Sequence, residues 1–361
     1  MKRRERDLFD LYTDYLMSST SQTTATGLSA MLDGSTSHDK ITRLLSSEDF
    51  DSMKLWKMVK PTVRRVESEE GVLIFDDTIQ EKTYMGENEM NCYHFDHSKG
   101  RSVKGVNILN SLYSNQDVNI PVGYEIIKKP IAYCDIKTKK EKRKSEKTKN
   151  EIFRNMIDTA MRNQIVFGYI LADIWFCSTE NMKHIKLKHK KDFIMGIKEN
   201  RLVALSIEEK KKGKFVNIKD LKMETDTIQK VYLKGMDFPV FLFKKVFTNK
   251  DGSIGIMYLV CSNLKLTESQ IYTIYQKRWK IEEYHKSMKC NTALGKSPAR
   301  TVRTQGNHIF ASMYAYFKFE LLKIKSHHNH FKLKSKIYIK ALKAAFAELQ
   351  KLKNTYNINS A

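Results

Sequence analysis

Ile271-Tyr-Thr-Ile-Tyr-Gln-Lys-Arg-Trp-Lys-Ile-Glu-Glu-Tyr-His-Lys-Ser-Met-Lys289 holds no Gly or Pro, and its apolar residues recur at helical spacing. The stretch reads as one amphipathic helix. At about 100° per residue, Tyr275, Arg278, Glu282 and Lys289 fall inside an arc of roughly 60°. Ile274, Ile281 and Met288 form a separate apolar stripe about a quarter turn away. One face is therefore expected to bury while its neighbour presents a carboxylate among cations and a phenol. A plainly solvated face of a Lys-rich helix would also be charged, so the rest of the chain must decide.

The chain has 361 residues, with 64 Lys and Arg against 41 Asp and Glu, a formal net charge of +23. The excess is spread along the whole length. A polyanion is the simplest partner, since a DNA backbone rewards each neutralised phosphate through counterion release. A merely Lys-rich protein with no such partner is the alternative. The length allows a sizeable core and more than one structural unit. Cys92, Cys134, Cys177, Cys261 and Cys290 have no CxxC spacing and read as reduced thiols of a cytoplasmic protein. No run approaches the roughly 18 apolar residues that span a bilayer. The start, Met1-Lys-Arg-Arg-Glu-Arg-Asp7, lacks the apolar stretch of a signal peptide. A soluble, intracellular protein with no membrane partner is expected.

Residues 1–68 read as helical. Leu8, Leu11, Tyr12, Tyr15 and Leu16 recur at helical spacing, and two short helices near 25–33 and 38–46 flank Asp33-Gly34. That pair suits a helix-turn-helix with Lys40 and Arg43 facing DNA, or a purely structural helix pair. From Gly71 the character changes to strands: Gly71–Asp76, then segments near 83–96, 103–113 and 118–127 that suggest an antiparallel meander. A basic stretch, Lys137 to Lys149, leads into a helix near 146–164. The strand Val166–Ala172, a helix near 178–188 and the strand Phe193–Ile197 follow. Residues 206–264 then interrupt the alternation with β-rich, basic sequence, and helices fill about 306–325 and 335–352.

Two carboxylates close buried-strand runs: Asp76 in Ile-Phe-Asp-Asp-Thr78, and Asp173 in Leu-Ala-Asp-Ile-Trp-Phe176. A carboxylate there is held rigidly by the sheet and opens to solvent. Acidic residues after strands are also ordinary turn formers or helix caps. Strand alternation sends Asp76 and Asp77 to opposite faces, and Asp76 is chosen over Asp77. Mg²⁺ takes hard oxygen ligands, and two such ions about 4 Å apart stabilise the attacking and leaving oxygens of a phosphodiester. With Glu282 the two aspartates make a candidate Asp-Asp-Glu set. His94-Phe-Asp96-His97 and His327-His328-Asn-His330 have metal-ligand residue types, but without Cys or a second spaced set zinc is not expected. Lys210-Lys-Lys-Gly-Lys214 reads equally as a DNA-tracking loop or a solvated turn. Trp56, Trp175 and Trp279 read as packing or hinge residues.

The helix carries Tyr-x2-Arg-x3-Glu-x6-Lys with Arg-Trp-x-Ile-Glu-Glu-x-His-Lys around it, Asp76 opens Asp-x-Thr, and Asp173 opens Ala-Asp-x-x-Phe. In these motifs the chain resembles bacterial DDE transposases of the insertion-sequence-four family. The resemblance covers most of 69–325 and is thin at both ends. It implies an α/β fold with a ribonuclease-H-like catalytic core over 69–205 and 265–325, and a β-rich insertion over 206–264. It further implies a helical N-terminal DNA-binding domain over 1–68 and a helical region over 326–361. Asp76, Asp173 and Glu282 would be the catalytic residues and the ligands of two Mg²⁺ ions, with Mn²⁺ able to substitute. Tyr275, Arg278, Lys286 and Lys289 would contact DNA. The partners would be double-stranded transposon ends and target DNA, with a homodimer in the synaptic complex, in a bacterial cytoplasm at the nucleoid. The activity would be cut-and-paste transposition through a hairpin, with an aromatic residue stacking a flipped base; the sequence does not show which. A silent transposase-derived DNA-binding protein and a plain metal-dependent nuclease are the rival readings.

Overall fold

The computed structural model describes residues 3–97, 99–356 and 358, and expectations for the remaining terminal positions lie outside the described residues. Two compact units divide the chain. One comprises Met1–Asp51, Gln80–Gly86 and Tyr284–Ala361; the other comprises Ser52–Ile79 and Glu87–Glu283.

Helices α1 (Arg3–Ser18), α2 (Ala25–Met31), α3 (His38–Ser46) and α4 (Ser52–Val66) open the chain. Strands β1 (Val72–Glu81), β2 (Asn91–Asp96), β3 (Arg101–Asn115) and β4 (Val118–Ile126) follow, then β5 (Ile131–Asp135) and β6 (Lys140–Lys144). Next come α5 (Lys149–Arg162), β7 (Tyr169–Ala172), α6 (Thr179–Lys183) continued by a π-helical turn at His184–Lys188, and β8 (Asp192–Gly196). Then follow β9 (Leu202–Ala204), α7 (Ile207–Lys211), β10 (Val216–Asn217), β11 (Thr227–Leu233), β12 (Val240–Thr248) and β13 (Ile254–Cys261). Helices α8 (Glu268–Gln276), α9 (Trp279–Asn291), α10 (Val302–Ser326) and α11 (His330–Thr355) complete it.

The second unit is built on a sheet ordered β10-β9-β11-β12-β13-β8-β7-β1-β3-β2, eleven strands with β4, which also pairs with β3. β2 takes the first half of β3 and β4 its second half, both antiparallel, as the alternating segments suggested. β1, β7 and β8 are parallel neighbours. Their central residues are apolar at successive positions, as strands buried on both faces must be; Val72, Leu73, Ile74 and Phe75 are all 0% exposed. Helix α5 starts with a capping box, Thr148 and Glu151 each serving the other's backbone N–H, and buries Ile152, Phe153 and Ile157. Phe153 packs edge-on to Phe75, with ring centroids 4.8 Å apart.

Three boundaries differ from the sequence reading. The helical run expected over 1–68 ends as a unit at Asp51, because α4 packs on β4 and buries Leu55, Trp56, Val59 and Val63. The β-rich segment expected as an insertion is continuous with the sheet, since β13 pairs with β8 through Leu259↔Gly196 to Cys261↔Ile194. The basic stretch before α5 supplies β6, which pairs with β5 as a separate, largely exposed hairpin.

The first unit is helical. Phe9 of α1 meets Phe50, Phe310 and Tyr314 at centroid distances of 5.5, 5.6 and 5.6 Å. Thr24 caps α2 through Gly27 N–H, and the α2–α3 turn uses Asp33 and Gly34 at φ 49° and 72°, where glycine is at no disadvantage. Lys40 and Arg43 are exposed on α3. Among the described residues no helix is long and apolar enough to cross a membrane.

Gly168 fixes the approach of the segment before β7 to that before β1: its N–H donates to Gly71 O at 2.9 Å, and a Cβ there would stand 2.3 Å from the Glu69 carbonyl oxygen. Backbone cannot swing aside as a side chain does. Gly168→Ala is expected to destabilise the protein by about 1–3 kcal/mol, read as a lower urea midpoint with an unchanged slope.

Candidate active site

The β1–β7 ladder runs from Val72↔Tyr169 to Phe75↔Ala172, and β7 meets β8 at Ala172↔Met195. The next residues on the three strands are Asp76, Asp173 and Gly196. Asp76 does not end its strand, as the sequence suggested, because β1 continues to Glu81; it ends only the fully buried part. Asp173 does cap a short 3₁₀ turn, its Oδ1 accepting from Trp175 N–H at 2.9 Å. The capping role and the position beside Asp76 thus coexist in one residue. Asp77 turns to Lys149 of α5, with Nζ 2.7 Å from its Oδ2.

Two carboxylates pressed together in a low-dielectric site resist ionising. Burial first, then the charges of Asp173 and Asp77, push Asp76 up to about 8, against the pull of Arg278. Burial raises Asp173 as well, opposed by its bond from Trp175 N–H. Arg278 is the counter-charge: Nη1 lies 3.9 Å from Asp76 Oδ2 and Nη2 2.6 Å from Glu282 Oε1.

The signature segment is not the single helix its periodicity predicts. α8 ends at Gln276 and α9 begins at Trp279. Between them Lys277, Arg278, Lys280 and Ile281 donate to carbonyls three residues back, the tighter 3₁₀ spacing. No Gly or Pro announces this turn. Its two cations have distant partners, Lys277 the Glu70 carbonyl and Arg278 the Asp76 carboxylate, with Glu282 as a second, local partner of Arg278. Tyr275, one turn earlier, is kept protonated by burial, which pushes its phenol up to about 12. A Cβ at Gly196 would stand 3.2 Å from Tyr275 Oη and 3.3 Å from Ile174 N, so the bare glycine admits the phenol beside the Asp173 turn. An isolated Gly within a strand signals such a close approach; Gly196 stood in the sequence without being singled out.

The structure therefore brings together Asp76, Asp173, Tyr275, Arg278 and Glu282. The three carboxylates do not draw within the 4.8 Å that gathers Asp158, His184 and His189 elsewhere in the unit. Lys286 and Lys289 are exposed residues of α9 in the part assigned to the helical unit, and Lys286 Nζ lies 5.4 Å from the Phe331 ring centroid. Of the tryptophans, Trp56 is buried as expected, whereas Trp175 and Trp279 are 45% and 58% exposed. Trp175 stacks on His97 at 3.8 Å, and Lys198 Nζ lies 4.4 Å from its ring centroid. Of the two histidine motifs, His94 is buried against the Cys92 thiol and His330 pairs with Glu320 and Ser287.

Residues 1–214 match the family described as DDE superfamily endonuclease, and residues 141–318 match the transposase DDE domain. The chain belongs to the DDE superfamily endonuclease family. Among solved structures it is similar to the Drosophila P element transposase strand transfer complex, at 12% identity and a TM-score of 0.28, over 52% of this chain and 36% of that one. The comparison with curated proteins gives no match.

Asp76 has an ordinary value of 3.8 and a folded value of about 8, so between them the folded state holds the extra proton. Its contribution to stability is complete below the ordinary value and is lost as pH rises through the folded one, at about 1.4 kcal/mol per unit of displacement. Urea denaturation at about pH 5 and about pH 9 should show stability falling for the wild type and a flatter response for Asp76→Asn.

Proposed function

We propose that the protein is a DNA transposase that cleaves strands at element ends, with Asp76, Asp173 and Glu282 as its catalytic carboxylates. The observation that carries this is the register: one residue beyond Phe75↔Ala172 two acidic side chains stand side by side, and Arg278 links Asp76 to Glu282. The strand order β4-β3-β1-β7-β8, with β1, β7 and β8 parallel, supports a ribonuclease-H-like core extended by β9–β13.

The donor set is all carboxylate oxygen, which suits Mg²⁺ or Mn²⁺ and not a thiolate- or imidazole-seeking ion. Asp76, Asp173 and Glu282 would hold the ions, which when bound supply Lewis-acid stabilisation of phosphate charge and a more acidic water. Burial and the neighbouring Asp173 and Asp77 hold the Asp76 carboxyl well above its ordinary range, and a bound cation would favour its ionised form. Arg278 screens the carboxylates now and has the planar fork that grips a phosphate in two places. Tyr275 remains a hydrogen-bond donor at any ordinary pH. Asp77, occupied by Lys149, is a support for the strand. Lys286 and Lys289 add positive charge along the same helix for the DNA backbone. Cut-and-paste transfer through a hairpin, in a homodimeric synaptic complex, extends the reading by resemblance. For stacking an unpaired base, the exposed Trp175 beside Asp173 is the aromatic we assign.

Glu282→Gln removes a metal-binding charge and keeps the shape. It should abolish Mg²⁺- or Mn²⁺-dependent cleavage of a duplex carrying the inverted repeats that flank the gene, while gel-shift affinity for that duplex is nearly unchanged. Asp173→Asn should match it and Asp77→Asn should be milder. Cleavage surviving in Glu282→Gln would reject the triad, and a wild type that binds the repeats without cutting them under any divalent ion would favour the silent DNA-binding protein.

Arg278→Ala tests the phosphate contact separately. It should make the slope of log affinity against log salt shallower by about 0.9 and slow cleavage, since small misplacements of a scissile phosphate cost rate steeply. An unchanged slope with unchanged cleavage would leave Arg278 as a purely structural counter-charge.

A further inference from the structure

Asp158 of α5 sits against a turn that no sequence pattern announced. The π-helical segment His184–Lys188 closes with His189 N–H donating to the His184 carbonyl five residues back, at 3.3 Å. In an α-helix five residues turn about 500°, leaving the two side chains roughly 140° apart. The wider π turn brings both imidazoles to the same side, with ring centroids 5.0 Å apart. Both Nε2 atoms converge on Asp158 Oδ1, at 2.7 Å from His184 and 2.5 Å from His189. The two nitrogens and the carboxylate oxygen lie within 4.8 Å of one another, and the three residues are each half-buried.

We propose that Asp158, His184 and His189 form a binding site for a zinc-class divalent cation, separate from the carboxylates at the strand ends. Two imidazoles and one carboxylate are the donors of zinc sites that keep an open position, and imidazole selects Zn²⁺, Co²⁺ or Ni²⁺ over Mg²⁺. Asp158 and His189 border an open hollow of about 620 Å³, also lined by Thr159 and Arg162, so water can complete the coordination. Lys188 Nζ lies 2.9 Å from Asp158 Oδ2 and is the competing cation. Its side chain is largely exposed, and exposed ion pairs contribute little, so it yields to a divalent ion. The bound ion would staple α5 to the segment leading into β8.

The whole protein, stripped with chelator, is titrated with Co²⁺ and then Zn²⁺, following the visible Co²⁺ absorption and the thermal midpoint. The wild type should show Co²⁺ bands that Zn²⁺ abolishes, and a Zn²⁺-dependent rise in midpoint. His184→Gln/His189→Gln keeps hydrogen-bond donors to Asp158 and should lose both responses, while its midpoint in chelator and its Mn²⁺-dependent DNA cleavage stay those of the wild type. Lys188→Ala should bind Zn²⁺ more tightly by removing the competing ammonium. Co²⁺ bands and a Zn²⁺ shift equal in wild type and double variant would overturn the site. So would no Zn²⁺ response in the wild type together with none in Lys188→Ala.

Discussion

The parallel pairing of β1 with β7 is the constraint on which the site depends. A four-residue ladder buried throughout except at Tyr169 ends where both strands carry an aspartate, so two carboxylates are forced together at the rim of the core. Neither can move away without breaking the ladder. The charge this imposes is met in two ways: a proton retained on Asp76, and the guanidinium of Arg278 shared with Glu282. Arg278 stands where the chain tightens between α8 and α9.

Helix α5 acts as a rail beside this arrangement, tied at three levels. Lys149 at its start holds Asp77 away from Asp76. In the middle, Asn150 and Arg154 both bond the buried side chain of Asn181. Near its end Asp158 receives the two histidines of the π turn. The spacing gives the helix an apolar face toward the sheet and a polar edge toward α6, so one element orders both the strand that carries Asp76 and the segment entering β8.

Much of this was legible in the sequence, for physical reasons. Apolar runs such as Val72–Phe75 read as buried strands and the alternation in 103–113 as a further strand, so the meander followed, although β3 is buried on both faces from Gly105 to Asn115. The residues of the insertion strands were also readable from β-branched and aromatic content. The 3₁₀ turn at Lys277–Arg278 was not, because it is enforced by distant partners and not by Gly or Pro. The β5–β6 hairpin was hidden because β5 is only five residues long and both strands lie largely exposed, with no apolar face to bury. The Asp158–His184–His189 cluster joins residues 26 positions apart in sequence to a rare helical turn, and local spacing cannot report that. Trp175 read as a packing or hinge residue, and the cap on Asp173 turns the chain outward and leaves its ring on His97.

The central claim is that Asp76, Asp173 and Glu282 hold divalent ions together. Replacing Mg²⁺ by Fe²⁺ and adding peroxide and ascorbate cuts a polypeptide where the iron is bound, and mass spectrometry locates the cuts. The account predicts cleavage at three separated places, beside Asp76, beside Asp173 and beside Glu282, all suppressed together by excess Mg²⁺. Cuts that spare these three segments, or that appear at one of them independently of the others, would contradict it.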